Sequence, residues 1–209
     1  MICVPIQQNS FKSLLLKFKE AQKKANLTEI WFDSANLDQR QLDQVFKIKS
    51  KPIIYKCENS TFNKDILNYP IDYIDLDIKT PAKDIKFIKK NYPKIKIILS
   101  KHDFRATPTS NVLKKLAKKM VSNGADIVKI ATFANSFSDS LRMLALLNSA
   151  SHEGQKSIYI CMGKYGKITR LTGHLLGNYL MFAPLTQAEK TASGQVSIDD
   201  LQKVIKLTK

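Results

Sequence analysis

The chain has little cysteine, little glycine and no long apolar run, and each of these features argues against a particular kind of protein or site. Its three cysteines among 209 residues lie far apart, are odd in number and form no C-x-x-C motif. Neither a disulfide framework nor a zinc site is indicated, and buried reduced thiols are the default. No apolar run approaches the ~18 residues of a membrane helix, and the N-terminus lacks a signal-peptide pattern. We therefore expect a cytoplasmic protein with no membrane partner.

Arginine is also scarce. It occurs four times, so lysine supplies the other 30 of the 34 basic residues and most of the formal net charge of +16. A basic chain raises the question of a nucleic-acid partner, but such proteins usually cluster their cations and use arginine for bidentate contacts. These lysines are spread from Lys12 to Lys209. We expect a lysine-rich solvated surface and no nucleic-acid partner; a non-catalytic, nucleic-acid-binding protein is the alternative.

Short apolar runs alternate with amphipathic segments along the chain. The runs have the length and the β-branched or aromatic content of strands, and they lie at residues 2–6, 29–33, 53–57, 73–78, 95–100, 127–131, 158–162 and 179–183. Apolar residues recur at helical spacing between them, and the helix starts are marked by Ser10, Pro81, Thr107-Pro108, Ser136 and Ser197.

Eight strands alternating with helices predict an α/β protein, a (β/α)8 TIM barrel with little decoration that spans residues 1–209 as a single domain. An open doubly wound sheet is the alternative. That fold usually carries a glycine-rich first turn, and the seven glycines here form neither a G-x-G-x-x-G fingerprint nor a P-loop.

Functional side chains of such a barrel project from the carboxyl ends of the strands. Lys129 interrupts the apolar run DIVKIA at residues 126–131. Desolvation lowers the pKa of a lysine and makes its amine a nucleophile toward carbonyl groups; a lysine whose ammonium reaches solvent is the alternative. His102 ends the fifth strand beside Asp103, which suits a general acid and base, although a lone histidine is more often structural.

The last third of the chain adds polar candidates. Arg170, one of the rare arginines, is predicted in the loop after the seventh strand, where it suits a carboxylate ligand. A surface arginine is the alternative. Residues 191–195, with the sequence TASGQ, predict a flexible polar loop after the eighth strand that could close over a ligand.

At these positions the sequence resembles type I 3-dehydroquinate dehydratase, the Schiff-base-forming enzyme of the shikimate pathway. The resemblance covers nearly the whole chain. Its blocks occur in order as SKHDF at 100–104, ADIVKIA at 125–131, CMGK at 161–164 leading into TRLTG at 169–173, and GQ at 194–195. Any one block would be weak evidence, but four in order on predicted strands five to eight are specific.

The resemblance implies dehydration of 3-dehydroquinate to 3-dehydroshikimate, with no cofactor and no metal. Lys129 would form an imine with the C3 ketone, and His102 would remove the C2 proton and protonate the departing C1 hydroxyl. It is compatible with a homodimer and with fusion to, or association with, shikimate dehydrogenase. The substrate-binding residues implied are Arg170, Gln195 and Thr191 (where a serine is usual) at the carboxylate, Met162 and Phe182 as apolar walls that keep Lys129 neutral enough to react, and Glu29, Trp31 and Glu58.

Two arginines of the family pattern are missing. The family's second strand usually reads Glu-x-Arg, where this chain has Glu29-Ile30-Trp31, and its third strand usually ends in an arginine, where this chain has Glu58. The acidic residue expected a few positions later is Phe62. Three interpretations stay open. Lys56, on the strand face of Glu58, replaces the missing cation; the substrate has another hydroxyl pattern, as for another Schiff-base barrel lyase; or the protein is catalytically weak or non-catalytic.

Overall fold

The structure of the protein, a computed structural model, describes residues 1–57 and 62–208. The strands are β1 (Ile2–Ile6), β2 (Leu27–Ile30), β3 (Ile53–Lys56), β4 (Tyr73–Asp77), β5 (Lys96–Asp103), β6 (Ile127–Phe133), β7 (Ser157–Met162) and β8 (Met181–Phe182). They are parallel and hydrogen-bond in the order β7-β6-β5-β4-β3-β2-β1-β8. The predicted (β/α)8 TIM barrel is confirmed.

Asn178 helps to close the barrel between its last two strands. Among the described residues no strand ladder joins β7 to β8. Instead, the Asn178 side chain accepts a hydrogen bond from the Tyr159 backbone amide at 3.0 Å and donates one to the Leu180 carbonyl at 3.1 Å. The Tyr179 amide donates to the Ser157 carbonyl at 2.8 Å. These contacts satisfy backbone groups that a ladder would otherwise pair.

The sequence marks the starts of five helices, and each of these helices begins within a residue or two of its marked position. Ser10, Ser136 and Ser197 each accept a backbone hydrogen bond at the start of a helix. Pro81 lies one position before its helix rather than in the first turn. The helices are α1 (Phe11–Lys24), α2 (Phe32–Ala35), α3 (Gln39–Lys47), α4 (Ala82–Asn91), α5 (Ser110–Ser122), α6 (Phe137–His152), α7 (Gly163–Thr172) and α8 (Ile198–Leu207), with 3-10 turns at Lys64–Asn68, Gly173–Leu176 and Gln187–Glu189.

The second strand differs most from its prediction at residues 29–33. β2 ends at Ile30, where its pairing with β1 and β3 also ends, and α2 begins at Phe32. Asp33 therefore lies in a short helix, and its carboxylate accepts a hydrogen bond from the Tyr55 hydroxyl at 2.8 Å. The apolar run continues through the turn, so periodicity did not mark the end of the strand.

Among the described residues, two clusters of buried apolar side chains form the core. The larger one fills the space between the sheet and the helices. The smaller one lies inside the barrel and contains Cys3, Leu27, Ile54, Ile98, Ile127, Ile158, Leu180 and Phe182. Because side chains alternate along a strand, the next inward positions of five strands form a second layer toward the carboxyl ends. That layer is polar and consists of Glu29, Lys56, Asp75, Ser100 and Lys129.

The outer surface carries much of the basic excess. The four lysines of α5, which are Lys114, Lys115, Lys118 and Lys119, are all exposed. Within residues 1–57 and 62–208, no helix has the length and apolar content needed to cross a membrane.

Candidate active site

The polar layer inside the barrel is held together by ion pairs. The Nζ atom of Lys129 lies 2.6 Å from Oδ2 of Asp75 and 3.1 Å from Oε2 of Glu29. The other oxygen of Asp75, Oδ1, accepts a hydrogen bond from Nζ of Lys56 at 2.9 Å, and Lys56 also donates to the Ser100 hydroxyl at 3.3 Å. Asp75 therefore bridges two ammonium groups, one through each of its oxygens.

The four charged side chains of this layer are buried, where an unpaired charge is costly. Burial alone would lower the pKa of Lys129, but the negative charges of Asp75 and Glu29 raise it above the ordinary lysine value. Burial would raise the pKa of Asp75, but Lys129 and Lys56 hold it well below its usual range. The expectation that apolar walls keep Lys129 neutral is therefore wrong for this structure, in which the two carboxylates favour the ammonium.

A cavity of about 420 Å³ opens above this layer, at the carboxyl ends of the strands. Glu58, one of the ten predicted site residues, lies outside the described part of the chain. The other nine line this cavity, and they are Glu29, Trp31, His102, Lys129, Met162, Arg170, Phe182, Thr191 and Gln195.

His102 lies one inward position further toward the cavity mouth than Lys129. In the pairing of β5 with β6, Ser100 lies beside Lys129 and His102 beside Ala131. Burial and the positive charges of Lys129 and Lys56 together lower the pKa of His102 to about 4, against the opposing effect of Asp75 and Asp77. The imidazole is therefore neutral near neutral pH and able to accept a proton.

Arg170 lies in the last turn of α7 and is buried, which corrects its predicted position in a loop. Its Nε donates to the Cys161 carbonyl at 3.0 Å, whereas Nη1 has no hydrogen-bond partner in the part of the chain that the structure describes. Burial lowers the pKa of Arg170 to about 10. A buried guanidinium with an unused donor at a cavity wall suits an anionic group.

The position of Arg170 follows from the way α7 joins β7. The helix begins at Gly163, directly after the strand ends at Met162. A Cβ at Gly166 would lie 2.6 Å from the carbonyl carbon of Cys161, so only glycine permits this close approach of helix and strand. The Thr169 hydroxyl accepts a hydrogen bond from the Cys161 amide at 2.8 Å. Residue 170 is thereby directed into the cavity.

The loop after β8 is organised by Gln195, which is buried. Its Oε1 accepts hydrogen bonds from the backbone amides of Thr191 at 2.9 Å and Ala192 at 3.2 Å. Its Nε2 donates to the Thr191 hydroxyl at 3.2 Å. Gly194 has a φ of +83°, and a Cβ there would lie 2.8 Å from the Gly163 carbonyl oxygen. The loop therefore packs against the start of α7 and lines the cavity.

Aromatic side chains complete the wall around the ion pairs. The Phe182 ring centroid lies 4.2 Å from Nζ of Lys129, within the range of a cation–π contact. Nε1 of Trp31 donates to Oε1 of Glu29 at 3.2 Å. The indole, where the family pattern has an arginine, therefore interacts with the same carboxylate that holds Lys129.

Asp75 is the centre of the network, although no role is assigned to it from the sequence. The signal that singles out Lys129 was present for it as well, since Asp75 is a charged residue inside the strand YIDLD at 73–77. Lys56 was predicted only as a replacement cation near Glu58. Across the described residues, no group of three or more His, Cys, Asp or Glu side chains is arranged to hold a metal ion.

The barrel, with a charged cavity at the carboxyl ends of its strands, has the architecture of a (β/α)8 enzyme. The model of the type I 3-dehydroquinase family matches residues 2–209, and the chain belongs to this family. The resemblance of the sequence blocks is thereby confirmed, and the chain is an enzyme of the hydro-lyase class.

Individual relatives agree with this family. The chain is 32% identical over 222 residues to the 3-dehydroquinate dehydratase of Methanococcus vannielii, with 99% of each chain covered. It is 30% identical to the bifunctional 3-dehydroquinate dehydratase/shikimate dehydrogenase of Arabidopsis thaliana, with 96% of this chain and 36% of that protein covered. Its fold matches that of type I 3-dehydroquinate dehydratase from Clostridium difficile with a TM-score of 0.86 and 25% identity, covering 99% and 91% of the two chains.

Proposed function

We propose that this chain dehydrates 3-dehydroquinate to 3-dehydroshikimate, through an imine on Lys129 and with His102 as general acid and base. The relatives suggest the substrate by their names. The observation that carries the proposal is the setting of Lys129, whose ammonium lies beside two carboxylates at the floor of the cavity. His102 lies on the adjacent strand, closer to the mouth.

The ion pairs of Lys129 suit a protonated imine as well as an ammonium. Condensation of the ammonium with the C3 ketone gives an iminium and one water molecule, and the nitrogen carries one positive charge before and after this step. Asp75 and Glu29, at 2.6 and 3.1 Å, can therefore stabilise the iminium. The iminium withdraws electrons from C2 and so acidifies the hydrogen on that carbon.

His102 supplies the proton transfers. Its neutral imidazole takes the C2 proton, and the electron pair of that C–H bond moves into an enamine. The iminium then re-forms as the C1–O bond breaks, and the imidazolium returns the proton to the departing hydroxyl, which leaves as water. Hydrolysis of the product imine consumes one water molecule and frees Lys129, so the net change is loss of one water.

The substrate carboxylate would bind at Arg170, which lines the cavity. Arg170 is buried there with Nη1 unused among the described residues, and it is tied to Cys161 only through Nε. Thr191 and Gln195 line the same cavity. A carboxylate bound to Nη1 would pair the buried guanidinium and orient the ring above Lys129.

A second candidate is the same imine chemistry on a related hydroxy-keto acid with another hydroxyl pattern. Trp31 favours it, because the indole offers a single N–H that is already bound to Glu29, where a guanidinium would offer several donors. Lys56, the replacement cation considered from the sequence, contacts Asp75 and Ser100 inside the barrel.

Borohydride trapping tests the imine. The protein is incubated with 3-dehydroquinate and borohydride, the modified peptide is mapped by mass spectrometry, and the conjugated enone product is followed by ultraviolet absorbance without borohydride. We expect an adduct on Lys129. Lys129→Met should lose the adduct and turnover, whereas His102→Gln should keep the adduct and lose about 10²–10⁴-fold in turnover.

The control is Lys96→Met, which removes an exposed lysine at the amino end of β5 and should change neither result. Turnover without an adduct on Lys129 would overturn the imine mechanism. An adduct without enone formation would instead favour the second candidate.

A further inference from the structure

Lys56 is a buried cation that has no part in the proposed imine mechanism. Its Nζ contacts Oδ1 of Asp75 at 2.9 Å and the Ser100 hydroxyl at 3.3 Å. Ser100 is itself fixed, since its hydroxyl donates to the Leu76 carbonyl at 3.2 Å. Lys56 is therefore held in place by groups other than Lys129, and the two ammonium groups take different oxygens of one carboxylate.

The imine step requires the neutral amine of Lys129, and forming that amine removes a positive charge from beside Asp75. Only the free amine can add to a carbonyl carbon, so the ammonium must first release a proton. When it does, Glu29 keeps a hydrogen bond from the Trp31 indole. Asp75 has no exposed surface, and without Lys56 it would remain as an unpaired buried carboxylate, which is strongly unfavourable.

We infer that Lys56 is a positioning residue for the nucleophile, because it keeps Asp75 paired while Lys129 passes through its neutral amine form. This inference rests on the proposed function, since it gives Lys56 a part in the same imine step. The Lys129 ammonium releases one proton to solvent at the cavity mouth, and the amine adds to the carbonyl carbon. The carbonyl oxygen leaves as water with one proton from the nitrogen and one from solvent, and the iminium takes the place of the ammonium beside Asp75.

Few neighbouring groups change charge between about pH 6 and pH 9. Burial lowers the pKa of His102 to about 4, so it is neutral throughout. Burial raises the pKa of the Cys3 and Cys57 thiols, which keeps them protonated. Among the described residues, the charged and titratable groups that share the interior or the cavity with the two lysines come from several elements. They are Cys3 of β1, Glu29 of β2, Cys57 after β3, Asp75 and Asp77 of β4 with Lys79 just after it, Lys101 and His102 of β5, and Arg170 of α7.

The reactivity of Lys129 toward a small aldehyde measures its neutral fraction without the substrate. The protein is methylated with formaldehyde and cyanoborohydride at several pH values from about 6 to 9, and the rate at Lys129 is obtained by peptide mass spectrometry. Below the pKa, the logarithm of this rate rises one unit per pH unit. We expect Lys56→Met to displace this line by at least one pH unit to higher pH, a loss of about tenfold or more at fixed pH.

Lys101→Met is the matched control, because it removes another lysine that lines the same cavity, and it should change the rate less than about threefold. Lys56→Gln keeps a hydrogen-bond donor for Asp75 without the positive charge, and it should displace the line as far as Lys56→Met does. This variant replaces Lys56→Met in the test if the methionine variant folds poorly. An unshifted line in a folded Lys56 variant would overturn the inference. Failure of 3-dehydroquinate trapping alongside a shifted line would instead count against the proposed substrate.

Discussion

The ammonium of Lys129 lies 2.6 Å from Oδ2 of Asp75, a carboxylate with no exposed surface. This contact ties β6 to β4 across the barrel interior. The negative charge of Asp75 has two effects. It raises the pKa of Lys129, and it would stabilise a cationic imine on the lysine nitrogen. Removal of that charge should therefore affect both folding and chemistry.

Asp75→Asn should destabilise the protein. The amide keeps the shape of the side chain, but it leaves two buried ammonium groups with Glu29 as their remaining carboxylate in the layer. Breaking a buried ion pair by removing one partner costs about 3–5 kcal/mol, so the free energy of unfolding in urea should fall by about that amount. Asp77→Asn, at a half-buried carboxylate on the same strand, is the control and should cost less than about 1 kcal/mol. Equal effects of the two variants would contradict the network.

Arg170→Met should weaken binding of the substrate carboxylate. A hydrogen bond to a charged group contributes about 1.5–3 kcal/mol, so kcat/KM for 3-dehydroquinate should fall about 10- to 100-fold. Arg170→Lys should not restore it, because an ammonium lacks the planar set of donors. The exposed Arg40 of α3 provides the control Arg40→Met, which should be silent. The amide analogue of the substrate lacks the carboxylate charge. If Arg170→Met lowers kcat/KM for this analogue as much as it does for the acid, then Arg170 does not bind the carboxylate.

The stability of the protein should depend on pH through His102. Burial lowers its pKa to about 4 in the folded protein, against an ordinary value of 6.5. Between these values the unfolded chain binds a proton that the folded protein does not, so the free energy of unfolding falls as the pH drops from about 6.5 to about 4. His102→Gln should lack this contribution, and the difference from wild type should vary in this window and be constant above about pH 7.5. The exposed His152 gives the control His152→Gln, which should follow wild type; a constant difference for His102→Gln over the whole range would contradict the assignment.

The sequence predicted the barrel because each strand is short and apolar and because five helix starts, those of α1, α4, α5, α6 and α8, carry a recognisable capping residue or proline. It also singled out Lys129, since a lysine in an apolar strand requires an explanation. Its protonation could not be predicted in the same way. The two carboxylates that hold it, Glu29 and Asp75, precede it by 100 and 54 residues, and only the closed barrel brings them within 3.1 Å.

The helix that holds Arg170 is a second feature that the sequence does not predict. The stretch GKYGKITR at 163–170 follows the seventh strand directly and has two glycines, and the sequence predicts a loop at Arg170. It is helical because Gly166 allows α7 to pack against the end of β7 and because Thr169 and Arg170 bind the backbone of Cys161. Those contacts are tertiary, so local propensity could not indicate them.

Gly194→Ala should disturb the cavity loop while leaving the reactive amine intact. The residue has a φ of +83°, and the added Cβ would lie 2.8 Å from the Gly163 carbonyl oxygen, so the loop must move away from α7. That movement displaces the neighbouring Gln195, and KM for 3-dehydroquinate should rise several-fold, whereas formaldehyde labelling of Lys129 inside the barrel should be unchanged.

Gly154 offers a closely matched control for this substitution. Its φ is +72°, but no atom lies within 4 Å of an added Cβ, so Gly154→Ala introduces the backbone strain without the clash. Both variants should lose about 1–2 kcal/mol in free energy of unfolding through backbone strain, because an L residue in the left-handed region is strained by that amount, and the clash should add to the loss in Gly194→Ala. Only Gly194→Ala should also raise KM, and it should do so to a similar extent as Gln195→Ala. A KM for Gly194→Ala equal to that of Gly154→Ala would show that the packing of the loop on α7 does not position Gln195 for the substrate.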